Sequence, residues 1–180
     1  MMNKLKVLLK HLWRDADDSR RAIPPAMLQR LAQRIAASER RHSGEIRLCV
    51  EASLPLSYLW RLNAQNPMRR LTRQRAVTLF GKLRVWDTEH NNGILIYLLL
   101  AEHAIEIVAD RGVARHVSPA QWQAMVARMA SAFQDKRYEE GLTQALEETS
   151  ALLMEHFALP DGTGSLAGNP NELPDQPFLI

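Results

Sequence analysis

The polar segment DTEHNNG at residues 87–93 contains the side chains of this chain that are best suited to chemistry. Asp87, Glu89 and Asn91 alternate along it and offer carboxylate and amide oxygens, which are the ligands that hard cations such as Ca²⁺ prefer. The spacing departs from that of an EF-hand, because the glycine comes one place late and Leu98 stands where the closing glutamate is needed. The segment therefore has two interpretations, a capped turn that leads into a strand or a divalent-cation site.

Two apolar segments follow this turn and must position it. Residues 94–100 are continuously apolar, which is typical of a strand covered on both faces, and residues 105–109 form a second strand after a short link. Because so short a link cannot contain a parallel crossover, we expect an antiparallel hairpin. Asp110 would then return to the end of the sheet at which Asn91 lies. The crevice predicted between the two loops is lined by Asn92, Gly93, Arg111 and Gly112.

Other common motifs of catalysis are missing from the sequence. There is no GxGxxG or GxxxxGK(S/T) cradle for a nucleotide, no GxSxG nucleophile elbow and no HExxH zinc motif. The histidines contain no pair separated by one helical turn, so the pattern does not favour a zinc site on a helix. The single cysteine, Cys49, cannot form an internal disulfide.

Length and composition predict one globular domain, and the periodicity of its apolar residues predicts mixed α/β structure. The chain has 180 residues, of which 46% are apolar and 24% are charged. Helical spacing and strand-like alternation give the order helix, helix, strand, helix, strand, strand, helix, helix. We therefore expect a three-layer α/β/α sandwich with a small mixed sheet over residues 23–158. Residues 1–22 are predicted to form an N-terminal amphipathic helix, and residues 159–180 a flexible tail rich in proline and glycine.

The N-terminal segment has the pattern of a basic amphipathic helix. Leucines recur at helical spacing among basic side chains: Leu5, Leu8, Leu9 and Leu12, with Lys4, Lys6, Lys10 and Arg14. The leucine stripe either packs on the domain, or it adsorbs to an anionic membrane surface or a partner groove. Aspartates stand where a signal peptide needs its cleavage site, so we expect the segment to be retained. This predicts a cytoplasmic protein, with peripheral contact at the inner membrane as an extension of that hypothesis.

Charge is distributed unevenly along the chain. Basic residues outnumber acidic ones in residues 1–92 and the reverse holds in residues 93–180, although the net charge is only +3. Arginines cluster on a predicted helix at Arg69, Arg70, Arg73 and Arg75, but they lack interleaved aromatic residues and belong to no known nucleic-acid module. We interpret them as a solvated helix face and do not expect nucleic-acid binding.

Residues 24–157 resemble the TPM domain, a family that includes a thylakoid-lumen phosphatase and many bacterial proteins. The matching segments are EIRLCVEAS, NNGILIYLLL, IEIVADRGV, WQAMVARMASAF and YEEGLTQALEETSALL. The resemblance implies an α/β/α sandwich and, in some members, divalent-metal binding with weak acid phosphatase activity. Asn91 stands where the family usually has the aspartate of its DNG motif, and Ser118-Pro119 occupies a stretch where many members have another aspartate. Asp110, Arg111 and Gly112 replace a glycine-aromatic-glycine turn.

These departures favour a noncatalytic protein-interaction or adaptor module that acts near the cytoplasmic face of a membrane. Such a module requires no cofactor. Its partner is an unknown protein, and the resemblance implies a LemA-type membrane protein as one such partner. The alternative is a weak divalent-metal-dependent phosphatase, an acid-phosphatase-like hydrolase in which Asp87, Glu89, Asn91 and Asp110 surround Ca²⁺ or another divalent cation.

Overall fold

A computed structural model describes residues 4–14, 16–159 and 171–180. The helices are α1 (Lys4–Leu12), α2 (Ala16–Ala22), α3 (Pro25–Glu39), α4 (Leu56–Leu59), α5 (Met68–Lys82), α6 (Arg111–Ala114), α7 (Pro119–Gln134) and α8 (Tyr138–Phe157). The strands are β1 (Ile46–Glu51), β2 (Ile94–Leu99), β3 (Ala104–Ala109) and β4 (Phe178–Leu179). A single 3₁₀ turn, Leu100–Glu102, joins β2 to β3.

The four strands form one mixed sheet in the order β3-β2-β1-β4. Strand β1 runs parallel to both β2 and β4, whereas β2 and β3 form the antiparallel hairpin that the sequence predicts. All residues of β1 and β2 are buried, as the continuous apolar character of β2 indicated. The central strands therefore position the loops at the two ends of the sheet rigidly.

Helices cover both faces of the sheet, which confirms the three-layer α/β/α sandwich. On one face, Leu48, Ile96 and Ile107 pack in a single core with side chains from α3, α7 and α8. On the other face, Leu95 and Tyr97 pack with side chains from α1 and α5. This arrangement follows from the alternation of side chains along each strand, which sends successive residues into opposite layers.

The C-terminal residues differ from the expectation of a flexible tail. Residues 171–180 line the edge of β1, where β4 pairs in parallel with it and the Ile180 amide donates to the Val50 carbonyl at 2.9 Å. Arg47 of β1 donates to the Gln176 carbonyl at 2.6 Å. Proline is tolerated in such a segment because an edge strand leaves one row of amides unpaired. The remainder of the predicted tail, residues 160–170, lies outside the described residues.

The N-terminal segment also differs in extent from the single helix expected over residues 1–22. Helix α1 ends at Leu12 and the separate helix α2 begins at Ala16. Helix α1 buries Val7 and His11 against the domain. The leucine stripe is therefore not the main buried face of this helix.

Candidate functional site

The loops before β2 and after β3 meet at one end of the sheet, as the hairpin requires. The Asp110 amide donates to the Gly93 carbonyl at 2.9 Å, and the Gly112 amide donates to the Asn91 carbonyl at 2.9 Å. A Cβ atom at Gly112 would lie 2.4 Å from that same carbonyl oxygen, so only glycine allows the two backbones to approach this closely. The predicted crevice residues are therefore brought together by backbone contacts.

The side chain of Arg111 contacts one of the predicted cation ligands, Asn91. Its Nε donates to the Asn91 Oδ1 atom at 2.9 Å, so the amide oxygen faces a guanidinium. Asn91 adopts a left-handed backbone conformation with φ 52°, which asparagine tolerates better than most residues. Asp110 caps the short helix α6, since one of its oxygens accepts the Arg111 amide at 2.7 Å. The guanidinium of Arg111 therefore contacts an amide oxygen of this loop pair, while Asp110 is bound by a backbone amide.

Two buried oxygens of the residues in these loops have no hydrogen-bond partner among the described residues. They are Oδ1 of Asn92 and Oδ2 of Asp110. Asn92 is completely buried, and its Nδ2 donates to the Ser43 hydroxyl at 3.2 Å. Unpaired buried oxygens are costly, and a water molecule or an ion commonly satisfies them.

Asp87 and Glu89 occupy the exposed side of the turn. The Glu89 amide donates to the Glu172 carboxylate at 3.0 Å, which ties the turn to the C-terminal segment. Within residues 4–14, 16–159 and 171–180, no three histidine, cysteine, aspartate or glutamate side chains are grouped so that they could hold a metal. The cation site made of Asp87, Glu89, Asn91 and Asp110 therefore stays a prediction.

Helix α1 is fixed to the domain through its buried histidine. His11 Nδ1 accepts the Leu54 amide at 3.1 Å, and its Nε2 lies 3.0 Å from Glu102 Oε1. Lys10 contacts the same carboxylate at 3.3 Å. Burial opposes ionisation of Glu102, but the hydrogen bond from His11 and the charge of Lys10 lower its pKa. These contacts hold one face of α1 inward and set which face is left outward.

The outward face of α1 is apolar. Leu9, Leu12 and Trp13 expose 47%, 58% and 84% of their surfaces, and they follow one another at helical spacing. Helix α4 lies beside α1, since Lys4 Nζ donates to the carbonyl of Trp60, whose side chain is 67% exposed. We call Leu9, Leu12, Trp13 and Trp60 the apolar patch. Large apolar side chains that are exposed together commonly mark an interaction surface.

The predicted basic contacts lie on or next to α1 and differ in exposure. Lys4, Lys6 and Lys10 are exposed, and Arg14 is half-buried. Sequence reasoning did not include Trp13 and Trp60 in the surface. The sequence signal that could have indicated Trp60 is its spacing from Leu56, because the two apolar residues lie one helical turn apart.

No helix in the described part of the chain is long and apolar enough to cross a bilayer.

The family model of the TPM domain matches residues 17–152. The comparison with curated proteins gives no match. Among solved structures, the chain is similar to the NMR structure of the BA42 protein from the psychrophilic bacterium Bizionia argentinensis. The TM-score is 0.68 and the sequence identity 21%, over 87% of this chain and 94% of the other.

Proposed function

We propose that this chain, which belongs to the TPM domain family, is a noncatalytic interaction module that docks on an anionic membrane surface and holds a protein partner there. The observation that carries the proposal is the apolar patch at the ends of α1 and α4, together with the exposed Lys4, Lys6 and Lys10 of α1. An apolar face beside basic side chains is the arrangement by which helices lie in the plane of a membrane interface. The expected docking surface is the cytoplasmic face of the membrane, where anionic lipids attract basic residues.

The size of the patch fits reversible, peripheral binding. Full burial of one large apolar side chain contributes roughly 1.5–3 kcal/mol, so the four partly exposed residues of the patch contribute on the order of 4–8 kcal/mol when immersed. Each basic side chain near an anionic surface adds about 1 kcal/mol. Neither the apolar nor the electrostatic contribution is sufficient alone for stable membrane binding. Binding should therefore require anionic lipid and should weaken as salt concentration rises.

The crevice supports a noncatalytic role. Arg111 donates to the Asn91 oxygen at 2.9 Å, at the position where the resemblance implies a carboxylate. A guanidinium at this oxygen competes by charge with a divalent cation. As the first protein partner to test, the family resemblance suggests a LemA-type membrane protein.

Vesicle flotation tests the membrane contact. The protein is mixed with phosphatidylcholine vesicles that contain or lack phosphatidylglycerol, and the floating fraction is measured. We expect flotation only with phosphatidylglycerol, and its loss in the double variant Leu9→Ser, Trp13→Ser. The matched control is Val77→Ser with Trp86→Ser, since these side chains are 50% and 51% exposed on other elements. Equal flotation of both double variants would contradict the proposal.

A second candidate function, a weak divalent-metal-dependent phosphatase, is favoured by the unpaired buried oxygens of Asn92 and Asp110. A cation in the crevice would ligate these oxygens. Thermal unfolding with increasing Ca²⁺ or Mn²⁺ tests this function, because a ligand that binds only the folded state raises Tm in proportion to the logarithm of its concentration. A Tm that rises in the wild type but not in Asp110→Asn, together with metal-dependent hydrolysis of p-nitrophenyl phosphate, would support it. An unchanged Tm at millimolar metal would remove it.

A further inference from the structure

The outer edge of β3 leaves backbone groups available for pairing. Strand β3 is the last strand on its side of the sheet and pairs only with β2. The Asp110 amide bonds to Gly93 of the β2 side, and hydrogen-bonded pairs alternate along an antiparallel ladder. The amides and carbonyls of Ile105, Ile107 and Ala109 therefore point away from the sheet. Such an edge is a ready template for another strand.

A groove of about 960 Å³ lies along this edge, between helices on the two faces of the sheet. One wall belongs to α5 and carries Arg69, Arg70 and Arg73. The other wall belongs to α7 and carries Trp122, Val126 and Ala127. A strand placed in the groove would send alternate side chains toward a basic wall and an apolar wall.

Arg73 covers part of the exposed backbone in the structure described. Its guanidinium donates to the Ile107 carbonyl at 2.5 Å and contacts Glu106 at 3.3 Å. The side chain of Arg73 is about half exposed, at 47%. A carboxylate brought into the groove would compete for this guanidinium and leave the carbonyl to a backbone amide.

The opposite edge of the same sheet shows how this domain accepts a strand. There, β4 adds in parallel to β1, and an arginine of β1, Arg47, donates to the Gln176 carbonyl. The same guanidinium lies 5.9 Å from the centre of the Phe178 ring. An arginine beside a sheet edge thus already orients an added segment in this molecule.

We propose that the groove binds an extended segment of a protein partner, which adds to β3 as a fifth strand and alternates acidic with apolar side chains. The acidic side chains face Arg69, Arg70 and Arg73, and the apolar ones face Trp122 and Val126. Charge complementarity with α5 selects this occupant. The inference rests on the proposed function for the existence of a protein partner, but not on the membrane contact, because the groove and the apolar patch use different helices.

The probe is a fluorescein-labelled peptide of about seven residues that alternates glutamate with valine, long enough to span β3. Fluorescence anisotropy measures its binding to the full chain without lipid. We expect saturable binding of this peptide and no binding of a control peptide that alternates lysine with valine. Arg69→Glu should weaken binding of the glutamate-valine peptide by at least roughly fivefold. Lys82→Glu, an exposed position at the other end of α5, is the matched control and should change binding by less than about twofold.

Hydrogen exchange distinguishes strand addition from other modes of peptide binding. The peptide should slow exchange of the Ile105 and Ala109 amides, and Ala127→Trp, an exposed position on the apolar wall, should abolish both binding and protection. No binding at millimolar peptide, or binding without this protection, would overturn the inference. Protection that depends on protein concentration alone would assign the edge to a second copy and would also overturn it. Vesicle flotation of Arg69→Glu and Ala127→Trp should match the wild type, so failure of the groove and failure of the membrane contact are distinguishable.

Discussion

Replacing Glu45 with glutamine should remove a decline in stability that accompanies rising pH. Glu45 is completely buried between α3 and β1. Its Oε2 accepts the Leu173 amide at 3.1 Å, whereas its Oε1 has no partner among the described residues. Burial raises the pKa of Glu45 from 4.5 to about 7, and the charges of Glu172 and Asp175 add to the effect. The carboxyl is therefore held in an environment that favours its protonated form.

The raised pKa of Glu45 determines the sign of the pH dependence of stability. Below pH 4.5, Glu45 is protonated in both the folded and the unfolded state, so its contribution to stability is fully present. Above pH 4.5 the unfolded state loses its proton first, and the free energy of unfolding falls until pH passes about 7. At about 1.4 kcal/mol per pH unit, and allowing for relaxation of the folded protein around the buried charge, the loss should be about 1–3 kcal/mol.

Neighbouring groups also titrate, so the measurement is a difference between two proteins. Burial raises the pKa of Glu39 to about 9, which acts in the same direction, and lowers the pKa of His42 to about 4, which acts in the opposite direction at low pH. Subtracting the urea-unfolding free energy of Glu45→Gln from that of the wild type at each pH cancels the groups that do not interact with Glu45. The difference therefore reports Glu45 together with its effect on Glu39, whose pKa the Glu45 charge raises. This difference should fall by about 1–3 kcal/mol across the interval, and the exposed control Glu155→Gln should give a flat difference. A flat or rising difference for Glu45→Gln would refute the reasoning.

Two further substitutions test the loops and the sheet edge. Gly112→Ala should lower the unfolding free energy by about 1–3 kcal/mol, because its Cβ would press on the Asn91 carbonyl, whereas Gly81→Ala, where a Cβ meets nothing within 4 Å, should be neutral or stabilising. Urea unfolding checks both, and an equal effect would contradict the proposed close approach. Arg47→Ala should cost about 1–3 kcal/mol and speed hydrogen exchange at Ile180, since the arginine holds carbonyls of the C-terminal segment. Unchanged exchange at Ile180 would show that β4 is held without it.

The fold was largely predictable because its signals are local and periodic. The uninterrupted apolar run of β2 indicated a central strand, and the short link after it required the hairpin that brings Asn91 and Asp110 together. The capping box that starts α7 in the structure is likewise formed by two residues three positions apart, Ser118 and Gln121. Each of these features depends on residues close together in the chain.

The parts that sequence reasoning missed depend on distant contacts. Helical spacing identifies α1, but its buried face is chosen by His11, which bonds to Leu54 and Glu102 far along the chain. Nothing local distinguishes that histidine from a solvated one. Similarly, the proline-rich composition of residues 171–180 indicates that no regular element forms there. A short strand nevertheless forms, because the edge of β1 is free to pair with it and the Arg47 guanidinium donates to a carbonyl of the segment.

The position of Glu102 relates the two proposed surfaces to each other. Glu102 ends the 3₁₀ turn that leads into β3, and it also lines one end of the groove. Because His11 and Lys10 of α1 both contact its carboxylate, the helix that carries the apolar patch is fixed to that same end. A partner held in the membrane would therefore have the groove within reach of a short extended segment. Such proximity raises the effective concentration of the segment, so a weak strand addition is sufficient to hold a partner at the membrane.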